Sequence, residues 1–298
     1  LREERNISLE NLEPGVQIML FGLFKKIVIA DNISAFIDAV HQAPAAYSAA
    51  TLMLATYAYF VQLYCDFSGY SDVARGVARL FGFELMQNFN RPYLARTFSE
   101  FWRRWHISLS SWFMEYVYFP LGGSRKGKFR KYLNTMIVFL LSGLWHGANW
   151  TFVAWGAFIG IGTIIEDLGR PCYHKVCNFL HIDNTNSLVL LLRNIFILLT
   201  VAITSIFFRA QNIAEAGTIL GKMFCSLSLS GSSFSSAIAG LGMNMPYLVQ
   251  LLLSLFLLDK GYYMCWGREE KNMLFRPSAT DRRSAVLRFG TYLFFVLA

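Results

Sequence analysis

Apolar residues fall along this chain in long runs divided by short polar segments, and the run lengths predict helices that cross a membrane. Residues 16–30 are apolar except for Gln17 and the pair Lys25-Lys26. A crossing needs about 20 residues, a length this run reaches only by continuing through Ile33, Phe36 and Ile37. Residues 49–64 form a clear spanning candidate that leads directly into Cys65-Asp66-Phe67-Ser68-Gly69-Tyr70-Ser71-Asp72. A helical pattern carrying Arg75 and Arg79 follows over 73–83. Residues 97–121 predict an amphipathic helix, because Phe98, Phe101, Trp102, Trp105, Leu109 and Trp112 recur at helical spacing. Ser99, Arg103, His106 and Ser110 form a second stripe, which puts His106 on the polar face.

Residues 132–165 are almost wholly apolar. As one helix they would run roughly 50 Å, too long for a single crossing of a ~30 Å hydrocarbon core. The run must break, and the natural place is residues 142–149, where Gly143 and Gly147 flank His146. Gly156 and Gly160 then give a spacing suited to close helix packing. Residues 188–208 predict another span, interrupted only by Arg193-Asn194. Residues 209–244 read as a Ser/Gly-rich loop around a short helix at 213–224. Residues 247–258, with an aromatic tail to Trp266, read as a further span, and 286–298 as a final span cut short. No internal repeat and no soluble-domain boundary interrupts the pattern, so 1–298 reads as one all-α, polytopic integral membrane domain.

Composition agrees. Only 15% of the 298 residues are charged and 55% are hydrophobic, against roughly 25% charged in a typical soluble domain. That excludes disorder and argues against a soluble enzyme. Lys and Arg number 27 against 19 acidic residues, a net charge of +8. The basic residues sit in short clusters between apolar runs, a pattern for loops at anionic headgroups and not for nucleic acid. The 259–285 loop carries six Lys and Arg and the 209–244 loop two. The first is therefore expected in the cytoplasm and the second outside. The polar opening Leu1-Arg2-Glu3-Glu4-Arg5 has no signal-peptide pattern and is expected to lie inside a longer chain. The five cysteines include no CxxC pair and are expected to be reduced, buried and apolar in character.

Ionisable groups at membrane depth default to functional hypotheses. His146 is the strongest, because it sits where backbone regularity must fail, and broken backbone is tolerated in a bilayer only where protein or a water-filled cavity covers it. The structural alternative is a buried histidine packed between Trp145 and Trp150. His106 is weaker, since a histidine on a polar helix face is commonly just interfacial. Asp66, Ser68, Tyr70 and Asp72 cluster behind a span; here the structural alternative is a helix start, with Ser68 or Ser71 as cap and Asp72 facing the N-terminus. Asp72 and Arg75 are also spaced for an ion pair. Arg103 and Arg104 read either as snorkelling residues or as a hold on an anionic acyl carrier. Cys172, His174, Cys177 and His181 lack metal-ligand spacing, so no metal is expected. There is no G-x-S-x-G elbow, no P-loop and no dinucleotide fingerprint. Two histidines without a protein nucleophile suggest direct transfer, in which a histidine base activates a hydroxyl against an acyl donor.

Four stretches then make the chain recognisable. They are residues 62–72 (Gln62-Leu63-Tyr64 followed by the polar cluster above), Asn88-Phe89-Asn90-Arg91-Pro92-Tyr93, residues 101–110 around Trp105-His106, and Gly143-Leu144-Trp145-His146-Gly147-Ala148-Asn149-Trp150. Together they closely resemble the membrane-bound O-acyltransferase family. The similarity is to the branch of the alginate O-acetyltransferase membrane subunit, with the teichoic-acid D-alanyl-transfer protein as a relative. Gly22-Leu23-Phe24-Lys25-Lys26 and Phe207-Phe208-Arg209-Ala210 fit the same branch.

The resemblance implies a helical ring with broken or re-entrant helices around a transmembrane tunnel. It places the family's catalytic histidine on His146 and its supporting histidine on His106. Asp66, Ser68, Tyr70, Asp72, Asn90, Arg91, Arg103, Arg104, Trp145 and Asn149 are expected to bind substrate. No bound cofactor is implied, and acyl-CoA or an acyl carrier protein would be the thioester donor. The implied protein sits in the inner cell membrane and passes acetyl from the cytoplasmic donor towards an extracellular polysaccharide such as alginate. It works beside an extracytoplasmic, SGNH-esterase-like acetyl-transfer partner. D-alanyl transfer to teichoic acid, a transporter and a non-catalytic scaffold are the alternatives. The family's earlier N-terminal spans and the end of the last span would lie beyond this sequence.

Overall fold

A computed structural model of the chain describes residues 9–226 and 231–240, and every regular element among them is helical. In chain order these are α1 (Leu9–Leu23), α2 (Asn32–Gln42), α3 (Ala49–Leu80), α4 (Phe98–Arg104), α5 (Ile107–Phe113) and α6 (Gly127–His146). They continue with α7 (Trp150–Phe179), α8 (Ser187–Thr204), α9 (Ile206–Arg209), α10 (Ile213–Cys225) and α11 (Gly231–Gly240). Two π-helical stretches, Phe24–Asp31 and Met114–Tyr118, follow α1 and α5. The described residues divide into two compact units, 9–88 with 231–240 and 89–226.

In the first unit α1, the π-helical stretch and α2 follow one another directly, and α3 returns antiparallel along α1. The contact depends on glycines seven residues apart on both helices, Gly15 and Gly22 on α1 and Gly69 and Gly76 on α3. A Cβ on Gly22 would lie 2.6 Å from the Gly69 carbonyl oxygen, and one on Gly76 would lie 2.6 Å from that of Gly15. Ser48 caps α3 by accepting the Thr51 N–H. The expected helix start at Ser68 or Ser71 is corrected, since α3 runs unbroken through the whole polar cluster. The cluster stays helical because its charges are met from the other rod. Lys25 reaches Asp72 at 2.6 Å, and the next residue, Lys26, reaches Asp66 at 2.7 Å. The spaced pair Asp72–Arg75 does form, at 3.9 Å.

In the second unit α6 and α7 form a helical hairpin, broken where expected. α6 ends on His146, and Asn149 caps α7 by accepting the Thr151 N–H at 3.1 Å. Gly143 lies against the Phe152 carbonyl and Gly156 against the Phe139 carbonyl, while Gly160 takes the Met136 side chain. Lys131 and Tyr132 at the start of α6 both reach Asp167 of α7, at 2.5 and 3.0 Å. Among the described residues two helical stretches, Trp150–Phe179 and Ser187–Arg209, are long and apolar enough to cross a membrane. The Arg193-Asn194 interruption has partners: Asn194 donates to the carbonyls of Tyr93 and Ala95, and Arg193 sits over the Tyr173 ring.

The helix expected at 213–224 is α10. The expected spans at 247–258 and 286–298, the 259–285 loop and Cys265 lie outside the described residues. The cysteine expectation needs correcting. Cys65 and Cys177 are buried, but Cys172 and Cys225 are exposed.

The glycine contacts make a direct prediction. Gly156→Leu should abolish the folded protein, because the side chain would have to displace α6 backbone, whereas Gly169→Ala on the same helix, with open space around it, should be neutral or slightly stabilising. Thermal unfolding in detergent compares the two, and equal melting points would contradict the packing described.

Candidate functional site

Residues 97–121 do not form the single amphipathic helix that their periodicity predicts. α4 starts at a Thr97 cap: Thr97 Oγ1 accepts the Glu100 N–H, and the Glu100 carboxylate accepts the N–H of Arg96, just before the cap. It also receives an anchor from α7, where Glu166 accepts the Phe98 N–H at 2.6 Å. α4 then stops at Arg104, and His106 adopts a left-handed backbone, φ 45°, before α5 begins. A left-handed β-carbon-bearing residue costs roughly 1–2 kcal/mol, so the break needs support from elsewhere. Two features supply it. The Asn90 N–H donates to the Arg104 carbonyl, and Trp105 packs against Phe101 and the edge of Phe89 at 5.4 and 5.1 Å.

The break moves His106 off the polar stripe. Ser99 and Arg103 are exposed, while His106 is only 4% exposed. The expectation of a polar-face histidine is thus corrected: the left-handed turn carries the ring inward. Its Nδ1 lies 3.3 Å from the hydroxyl of Ser108, which is fully buried.

His146 sits at the C-terminus of α6 inside a ring of aromatic side chains. Trp145, Phe208, Trp155 and Phe152 lie at centroid distances of 4.8, 4.9, 5.4 and 6.4 Å. Three turns of chemistry build this wall. Gly147 leaves the space that the Phe152 ring occupies, since a Cβ there would meet that ring at 2.5 Å. Trp155 comes from the next turn of α7. Phe208 comes from α9, which departs from α8 at Ser205, where Thr204 and Ser205 turn their hydroxyls back onto the α8 carbonyls of Val201 and Ala202. Trp150, the neighbour anticipated from sequence, is 77% exposed and takes no part.

One indole joins the two histidines. Trp145 meets His146 at 4.8 Å and His106 at 6.0 Å, both edge-on, and the imidazoles are close enough to interact electrostatically. The arrangement offers two imidazoles, a wall of rings and little else that ionises. Such a site can take a proton from a hydroxyl.

The other expected site residues are distributed as follows. Arg104 is committed to Glu100 and to the Asn90 carbonyl. Arg103 is exposed, and Arg91 is left-handed at φ 45°. Asn149 closes the hairpin: besides capping α7, its amide donates to the Gln211 carbonyl at 3.0 Å. Asp66, Ser68, Tyr70 and Asp72 belong to the first unit. There Ser68, Ser71 and Asp72 are buried beside Lys25 and Arg75, while Tyr70 is exposed. Sequence reasoning missed Ser108, Phe152, Trp155, Phe208 and Glu166. The first four lie in or beside the quoted motifs. Glu166 had a signal of its own as an acidic residue inside an apolar helix.

Among the described residues no cluster of His, Cys, Asp and Glu could hold a metal ion.

Comparison with known proteins converges on one family. The model of the membrane-bound O-acyltransferase family matches residues 1–208. A protein of Azotobacter vinelandii named as a probable alginate O-acetylase is 40% identical over 220 residues, covering 74% of this chain and 42% of that protein. The peptidoglycan O-acetyltransferase of Helicobacter pylori is 38% identical over 240 residues, 78% of this chain and 44% of that one. A teichoic acid D-alanyltransferase of Streptococcus thermophilus is 34% identical over 174 residues, 55% of this chain and 42% of that one. The chain therefore spans under half the length of each of these relatives.

Proposed function

The chain belongs to the membrane-bound O-acyltransferase family, and from that premise we propose that it transfers an acetyl group from a thioester to a hydroxyl. The observation that supports this most directly is the pair of imidazoles on either side of Trp145, His106 buried and His146 partly buried. In the proposed step His146 takes the proton of the acceptor hydroxyl while that oxygen attacks the thioester carbonyl. His106 steadies the charge that develops on the carbonyl oxygen. The carbon–sulfur bond breaks, and the departing thiolate recovers the proton from His146. Holding both reactants in one site could supply roughly 7–11 kcal/mol of the barrier, and a placed base about 10²–10⁴-fold.

The donor in this reading is acyl-CoA or an acyl carrier thioester on the cytoplasmic side, and the protein is a multi-pass inner-membrane ring around a tunnel. The relatives are named for alginate, peptidoglycan and teichoic acid, all large hydrated polymers. A polysaccharide cannot readily enter an aromatic-walled site, because its many hydroxyls would lose water without assured partners. The proposed route is therefore a relay, from thioester to an outer acetyl-transfer partner, of the SGNH-esterase-like kind, and from it to polymer.

The test is labelled acetyl transfer by the purified full-length protein in proteoliposomes, with acetyl-CoA inside and candidate polysaccharide outside, with and without the partner. Label should reach polymer only when the partner is present. Robust polymer labelling by the protein alone would rule out the relay, and no donor turnover in any arm would rule out acetyl transfer. Turnover with a D-alanyl carrier in place of acetyl-CoA would shift the assignment to D-alanyl transfer.

A further inference from the structure

The turn that opens α6 carries five basic residues within 125–131. Two of them are engaged: Lys131 meets Asp167, and Arg130 Nε donates to the Leu121 carbonyl at 3.4 Å. Arg125, Lys126 and Lys128 are exposed, and among the described residues none of the three meets a carboxylate. The turn itself is held in place from α6. Asn134, fully buried, donates to the Gly123 carbonyl at 3.0 Å, and the stem of Lys126 lies beside Gly122, which is left-handed at φ 100°. Phe129 stands among these cations and is 82% exposed. Leu133 and Leu144, also exposed, share its face of α6, four and fifteen residues on. An open apolar stripe that ends in unpaired cations matches both halves of one ligand, an acyl chain and an anionic headgroup.

We propose that this end of α6 is a binding surface for anionic phospholipid of the cytoplasmic leaflet. Arg125, Lys126 and Lys128 hold the phosphate, and Phe129 sits at the boundary between headgroup and acyl chain. The charge sets the leaflet, since basic loops stay on the cytoplasmic side. An acidic protein surface would match the cations alone; the apolar stripe that runs on from Phe129 favours lipid. His146 lies at the far end of α6, roughly 28 Å away at 1.5 Å per residue. The surface is therefore separate from the histidine pair and does not depend on the acyl-transfer reading.

The test is native mass spectrometry of the full-length protein in nonionic detergent, titrated with short-chain phosphatidylglycerol or phosphatidylcholine, with inorganic phosphate as competitor, and separately with an acidic acyl carrier protein. The wild type should bind phosphatidylglycerol more tightly than phosphatidylcholine. In the triple variant Arg125→Gln/Lys126→Gln/Lys128→Gln the tightest phosphatidylglycerol should bind about fivefold more weakly for each cation removed. Phosphatidylcholine should bind that variant as it binds the wild type, which also reports that the fold is intact. Phe129→Ser should weaken both lipids alike, about tenfold. Unchanged phosphatidylglycerol binding in the triple variant, or no preference for it in the wild type, would overturn the proposal. Displacement of the lipid by inorganic phosphate would make this a site for free phosphate instead. Loss of carrier-protein binding in the triple variant, with phosphatidylglycerol binding kept, would make it a protein-docking surface.

Discussion

Replacing His146 with alanine is expected to lower acyl transfer about 10³-fold or more, the largest catalytic effect in the chain. The reason is that the side chains packed on its ring offer no replacement: Trp145, Phe152, Trp155 and Phe208 are not bases at neutral pH, and His106 lies on the far side of Trp145. Alanine also removes ring contacts, so lost activity alone would not separate chemistry from packing. His146→Phe separates them, since it refills the enclosure with a ring of similar size that cannot accept a proton. Phenylalanine should melt at a higher temperature than alanine yet be equally inactive. His106→Ala should cost less, because it removes a charge-stabilising group and leaves the base. Wild-type rates in His146→Ala would place the base elsewhere and end this mechanism.

Why His146 was legible and the setting of His106 was not is a matter of which forces are local. The α6–α7 break follows from length against bilayer thickness and from glycines at 143 and 147, all visible in sequence. The glycines at 156 and 160 likewise announced close packing, and their partner proved to be α6. The break at His106 has no glycine and no proline. Residues 97–121 keep a helical period throughout, and what stops α4 is remote: Asn90 reaches the Arg104 carbonyl, and Phe89 packs on Trp105. Only the Thr97 cap was a local sign of where α4 begins.

The polar cluster of α3 failed in the opposite direction. Ser68, Ser71 and Asp72 are good helix-start residues, and the helix nevertheless passes through them. Local preference yielded because Lys25 and Lys26 come from 40 or more residues away to meet Asp72 and Asp66. The π-helical stretch that carries both lysines bears on this. Adjacent residues on a regular helix face away from each other by about 100°, and here adjacent lysines reach two aspartates on the same neighbouring helix. Neither the π-helical register nor the partner choice is written in the spacing of residues 16–30 alone.

Those two lysines should behave very differently when removed. Lys26 and its partners are about half exposed, and an exposed ion pair is largely screened, so Lys26→Ala should leave the melting temperature nearly unchanged. Lys25 is 3% exposed and Asp72 10% at the side chain, with Arg75, 5% exposed, 3.9 Å from the same carboxylate. Two buried cations therefore lean on one buried anion. Asp72→Ala would strand Lys25 and take from Arg75 one of its partners, while Arg75 keeps the Leu85 carbonyl, and removing one partner of a buried pair costs about 3–5 kcal/mol. Lys25→Met should be milder, because Asp72 keeps Arg75 and the methionine keeps apolar contact with Phe21 and Tyr64, whose rings lie 5.0 and 5.9 Å from the Lys25 nitrogen. Adding Lys25→Met to Asp72→Ala should then recover part of the loss, since the stranded cation is gone. Thermal unfolding of the three variants in one detergent orders them. If Asp72→Ala is no less stable than Lys25→Met, or if the double variant is worse than Asp72→Ala, the carboxylate is not what holds these cations between α1 and α3.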